Sequence, residues 1–185
     1  MVLAAIRGEL TRYRQLGEAA ISRTSDQGLH ATLGTELNSI AVLVRHIGGN
    51  LRSRFTDFLV SDGEKEWRDR EGEFDASARS RAELLEDWTR GWDCLEKALG
   101  ELDEHSLGRT VRIRGVELSV IDALERSLAH LAYHVGQIVL LARWQAGTDW
   151  QSLSIPRGGT AAYNMNPDKE RQTMHGQSKT SGRQS

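Results

Sequence analysis

The residues in this chain best suited to chemistry are histidines. His130 and His134 stand four apart in a stretch of helical periodicity. Their rings therefore leave one helix face, one above the other. That spacing lets two imidazoles share one ion, as in the histidine pair of H-E-x-x-H. A third histidine, His46, lies in another helical stretch. Taking about 100° per residue, His134 and His130 fall roughly 60° and 100° to one side of Leu131. Asn50 and His46 fall at about the same two angles from Ile47. Both helices thus carry their histidines on the same shoulder of the apolar stripe. If the two shoulders face one cleft, three imidazoles converge. Geometry alone leaves two readings equally open: a metal site, or three half-buried histidines held by hydrogen bonds. His30, His105 and His175 fall in loops or the tail and carry no pattern.

Three neutral imidazoles would fill three positions on a divalent ion and leave a tetrahedral ion one open position, the catalytic pattern. Ligand type does not separate Zn, Ni, Fe and Mn. Asn50 could meet a substrate or orient a ligand, or be a buried amide bonded to backbone. Arg54 could bind an anionic group or lie along the surface. Tyr133 and Gln137 flank His134 and could orient it, or face solvent or a partner subunit. Asp57 lies too far along its helix to reach the ion and is expected to pair with a basic group. No carboxylate is evident as a general base, so the catalytic residues are not assigned. Cys94 has no neighbouring base in sequence and reads as structural.

Four stretches with steps of three and four must position these residues. They cover about 3–23, 37–60, 80–99 and 120–144, with Gly147 ending the last. Thr24 to Gly28 breaks the first from the second. Gly48 and Gly49 interrupt the second stretch and would admit a close neighbour. Residues 61–77 are a charged, glycine-bearing connection, longer than the common loop and anchored by Trp67 and Phe74. Alternation around Arg114 and Gly115 predicts a small hairpin or two extended pieces. The expected fold is all-α, a four-helix bundle with a small extended insert before the last helix. The domain is expected to span 1–163, with Trp150 to Pro156 packed on it. Residues 164–185 have too little apolar content to order and read as a disordered tail.

Composition narrows the functions. In 185 residues, 24 Lys and Arg stand against 26 Asp and Glu, a net charge of −2. That is no footprint for a general nucleic-acid binder. No apolar run approaches a membrane span, and the short apolar N-terminus does not read as a secretory signal. A single cysteine excludes an intrachain disulfide framework and a cysteine-based zinc site. A cytoplasmic protein is the expectation.

Asn38-Ser39-Ile40-Ala41, His46-x-x-Gly49-Asn50, Ser53-Arg54-Phe55-x-Asp57-Phe58-Leu59 and Asp62-Gly63-Glu64-Lys65 follow one another along the chain. Together with His130-x-x-Tyr133-His134-x-Gly136-Gln137-Ile138 and the later Leu153-Ser154-Ile155-Pro156, they resemble an uncharacterised bacterial branch of the DinB/YfiT-like superfamily. The resemblance covers roughly residues 5–163. It implies a four-helix bundle, usually dimeric. It also implies a divalent-metal site built from His46, His130 and His134. Related members are thiol-dependent transferases or isomerases that use low-molecular-weight thiols. The expected function is a divalent-metal-dependent enzyme, either a thiol-dependent transferase or a small-substrate hydrolase. The alternative is a non-catalytic dimeric protein of stress response that binds metal or a small molecule.

Overall fold

The structure is a computed structural model that describes residues 2–75 and 79–167. It is mainly helical. The elements run α1 (Val2–Ser22), α2 (Asp26–His30), α3 (Ile40–Phe55), α4 (Arg81–Gly100), β1 (Thr110–Ile113), β2 (Val116–Ser119), α5 (Val120–Ala146) and α6 (Thr160–Met165). Short 3-10 turns cover Glu71–Phe74, Glu104–Gly108 and Gly147–Asp149.

Serine caps start the three helices that matter for the site. Ser39 accepts from the Val42 amide, and Ser80 and Ser119 form reciprocal capping boxes with Glu83 and Asp122. Each satisfies amides that a helix start leaves unpaired. At the other end of α5, Gly147 takes φ +54, a region open to glycine.

The four long helices share one core. Leu3, Ile6 and Leu10 of α1 meet Ile40, Leu43, Ile47 and Leu51 of α3, Leu84, Trp88, Trp92 and Leu95 of α4, and Leu124, Leu131, Val135 and Ile138 of α5. Burial of these stripes is the main term holding the fold together. Trp88 and Trp92 are 1% exposed, and each removes roughly 150–250 Å² from water. Trp88 also reaches α1, where its indole N–H donates to Glu18 Oε1 at 3.3 Å.

Helix α3 lies along α4, α1 lies along α5, and α3 also packs on α5. The α3–α4 approach explains the Gly48 interruption. A Cβ on Gly48 would meet the Asp87 carbonyl oxygen, and one on Gly91 would stand 2.7 Å from the Gly48 Cα. The two glycines let the backbones touch.

Several sequence expectations need correction. The second long helix runs over Ile40–Phe55 and not over 37–60. It stops where Thr56 turns extended and Asp57 takes φ +50. The apolar periodicity misled because Phe58 still packs on Phe55, at 5.0 Å between ring centroids, from a turn beyond the helix. Asp57 is consequently not a helical residue, and it forms no ion pair among the described residues. The break at Thr24–Gly28 holds a helical turn, α2, capped by Ser25. Helix α6, Thr160–Met165, spans the expected boundary at 163, and the expected tail from 168 to 185 lies outside the described residues. Trp150 and Leu153 pack on the core, whereas Ile155 is 36% exposed.

The extended insert is a hairpin. Strands β1 and β2 pair antiparallel, Ile113 opposite Val116. Arg114 and Gly115 both have positive φ, +57 and +76, as a two-residue turn of matched twist requires. Asp62, from the connection after α3, fastens that turn. Its carboxylate accepts from the Arg114 amide at 2.8 Å and the Gly115 amide at 2.7 Å.

Candidate metal centre

His46 on α3 and His130 and His134 on α5 meet at the α3–α5 contact. One ring nitrogen from each lies within 4.8 Å of the others. The ring centroids are 5.2 Å apart for His46 and His130, 5.0 Å for His46 and His134, and 4.5 Å for His130 and His134. Matched shoulders on two helices do face one another.

The hydrogen bonds orient the rings. His46 Nδ1 lies 2.9 Å from Glu73 Oε2. A carboxylate only accepts, so Nδ1 carries a proton, and in the neutral ring Nε2 keeps its lone pair. His134 Nδ1 lies 2.8 Å from Gln137 Oε1, and an amide oxygen likewise requires N–H on that side. His46 Nε2 and His130 Nε2 are 3.1 Å apart. Two nitrogens bound to one tetrahedral zinc at roughly 2.0–2.1 Å stand about 3.3 Å apart, so the observed spacing suits two ligands of one ion.

Electrostatics agree with the donor set. Burial pushes the His130 imidazole down to about 3, with the neighbouring His134 and His46 acting in the same direction. Burial also lowers His134 against the opposing effect of its bond to Gln137. Metal ligation needs the neutral ring, and burial in this cluster favours that form. The Nδ1 atom of His130 is buried and makes no hydrogen bond among the described residues.

Sequence reasoning missed the residues that hold His46 in place. Glu73 comes from the connection between α3 and α4, and Arg68 grips it with two bonds, Nε to Oε1 at 2.7 Å and Nη2 to Oε2 at 2.8 Å. The side chains of Arg68 and Glu73 are only 2% and 7% exposed. Desolvation pulls the Glu73 carboxyl up, and the bonds from Arg68 and His46 outweigh it and hold it below the usual carboxylate range. Phe74 lies against the His46 ring at 5.5 Å. The unusual length of 61–77 was the available signal. Its alternating charges hid which acid turns inward. The expected anchors also differ: Trp67 is 53% exposed beneath Arg52, and the buried Arg68–Glu73 pair does the pinning.

The other candidates separate. Gln137 bonds to His134. Tyr133 is 65% exposed, with its ring 4.9 Å from that of His134. Arg54 does not lie along the surface: its side chain is 13% exposed and bonds to the Gly63 carbonyl and to Glu64. The Asn50 side chain makes no hydrogen bond among the described residues and lines a cleft with His46, Arg54 and His130. Cys94 Sγ lies 3.2 Å from Thr56 Oγ1, away from the histidines.

The helical core and the histidine cluster define a helical protein with a three-imidazole centre. The chain belongs to a family described as a protein of unknown function, DUF1572, whose model matches residues 1–159. No curated protein and no solved structure matches it. Among the described residues, no helix is long and apolar enough to cross a membrane.

Proposed function

We propose that this chain is a divalent-metal-dependent enzyme with a DinB/YfiT-like four-helix bundle, and that His46, His130 and His134 are its metal ligands. The reaction is either transfer of a low-molecular-weight thiol or hydrolysis of a small substrate. The observation that carries the reading is the convergence of three ring nitrogens within 4.8 Å. Two of those rings are fixed by hydrogen bonds to Glu73 and Gln137. Purely structural histidines do not need three ring nitrogens gathered this closely.

When bound, a divalent ion supplies Lewis acidity and lowers the pKa of a coordinated water or thiol. The protein's own groups do the rest. Glu73 fixes the tautomer of His46 and raises the basicity of its free nitrogen. Arg68 keeps Glu73 ionised. Asn50, on the turn after His46, presents an amide to the same cleft, suited to orienting a bound substrate. Phe74 lies against one side of the His46 ring.

The proposal includes a homodimer. Tyr133, Leu140 and Trp144 are 65%, 59% and 49% exposed and recur at helical spacing along α5, an apolar strip beside the histidines that a second copy would cover. The experiment for the enzyme reading is a screen of metal-free protein reloaded separately with Zn, Ni, Fe and Mn. Each form is offered thiol acceptors and hydrolysable esters and amides. Turnover that vanishes with chelator and returns with one metal supports it. Metal binding without turnover on any of them would favour the non-catalytic alternative.

A further inference from the structure

Four separate segments wall a cleft of about 170 Å³ beside the histidines. Helix α3 supplies His46, Asn50 and Arg54, the connection supplies Arg68 and Arg70, the hairpin supplies Arg114, and α5 supplies Arg126, Ser127 and His130. Among the described residues, no acidic one lines it. Five arginines from four distant stretches of sequence facing one small cleft demand a counter-charge.

The protein meets that demand in part. Arg68 is satisfied by Glu73, and Arg54 by Glu64 and the Gly63 carbonyl. Glu64 is shared, because Arg114 Nε also donates to it at 2.9 Å. Arg70 pairs with Glu71 out in solvent, with side chains 46% and 87% exposed. The Arg126 side chain makes no hydrogen bond or ion pair among the described residues, and the side chains of Asn50 and Ser127 make none either. Burial presses the Arg54 guanidinium downward, and the like charges of Arg68 and Arg114 add to that pressure against the pull of Glu64. The base is rigid and satisfied. The rim has spare donors.

We propose that this cleft is an anion subsite, in which Arg126 and Arg114 at the rim bind the carboxylate or phosphate of a small substrate whose remainder reaches His46 and His130. Guanidinium forks match both oxyanions with paired charge-assisted bonds. Asn50 and Ser127 offer uncharged partners to the part between. A cleft of this size takes one small anionic group. Asp62 sets the position of Arg114 by holding the hairpin turn. The subsite consists of the chain's own arginines and stands without metal; its role in presenting a substrate rests on the metal-centre reading.

The test is calorimetric titration of chelator-stripped full-length protein with inorganic phosphate and, separately, with malonate, at low ionic strength. Saturable binding of one anion per chain is expected for at least one probe, and the better probe tells phosphate from carboxylate substrates. Arg126→Gln and Arg114→Gln should each weaken it about tenfold. Arg90→Gln, on the exposed face of α4, should leave it unchanged. Melting temperatures near wild type show that the variants fold. His134→Ala, which does not line the cleft, should lose zinc and keep the anion. No saturable binding of either probe, or equal weakening by Arg90→Gln, would overturn the subsite. Zinc bound without any anion site would sink this inference and leave the metal reading intact. Anion bound without zinc would do the reverse.

Discussion

Glu73 fills the space that a side chain on Gly49 would need. A Cβ at position 49 would overlap Glu73 Oε1, the oxygen that Arg68 Nε also binds. The carboxylate has little room to withdraw, because Arg68 and His46 hold it on both oxygens. Gly49→Ala should therefore separate stability from metal affinity. Alanine gains about 1 kcal/mol of helix propensity over glycine, which offsets part of the strain. The displaced carboxylate should lower zinc affinity by about tenfold, the lower end of what losing such an outer partner costs. A chelator competition titration reads this, and an unchanged affinity would show that Glu73 does not support His46.

Glu73 and Arg68 form a pair that the interior cannot leave half-made. Removing one partner of a buried pair costs about 3–5 kcal/mol. Glu73→Leu or Arg68→Met alone should lose about that much in urea denaturation. The double variant should recover a good part of it, because no charge is then left unpaired. If both single variants lose less than about 1 kcal/mol, as an exposed pair would, the pair is not the anchor of the connection.

Gly48 is constrained by backbone rather than by a movable side chain. Its Cβ would strike the Asp87 carbonyl, and neither helix can yield locally. Gly48→Ala should destabilise the fold by about 1–3 kcal/mol, the usual cost of overpacking, despite better helix propensity. Differential scanning calorimetry would read a lower Tm. A higher Tm would mean that α3 and α4 are not in backbone contact there.

The hairpin lock should respond to acid. Amide bonds from Glu64 and Gly115 hold the Asp62 carboxyl below its ordinary 3.8 against an opposing effect of burial, with a lesser amide bond from Arg114. A depressed folded-state pKa gives stabilisation that is complete above the unfolded value and lost as pH falls through the folded one. Exchange of the Gly115 amide should accelerate only below about pH 3.8, the unfolded value. In Asp62→Ala it should be fast at every pH. Acceleration beginning near neutrality would contradict the lock.

How much of this was legible in the sequence depended on range. The apolar stripes act within a helix turn or two, so the four long helices could be read directly, as could the alternation around Arg114 and Gly115. The shared shoulder of His46 and His130 also survived, because rotation about a helix axis follows from residue spacing. The end of α3 did not. Phe58 kept the periodicity after Asp57 had turned the chain, and periodicity carries no sign of backbone φ. Glu73 and Arg68 were hidden for another reason: in a run of alternating charges, only the packed structure shows which acid meets His46. The arginine cleft combines four segments, and no local pattern announces such a meeting.

The most direct test is zinc titration of chelator-stripped wild type beside His46→Ala, His130→Ala and His134→Ala, with His30→Ala and His105→Ala as controls. Wild type and both controls should bind one zinc per chain. Each of the three variants should lose affinity by about a hundredfold or more, beyond what loss of an outer hydrogen-bond partner causes. Near-equal zinc content across all six proteins would contradict a metal centre at His46, His130 and His134.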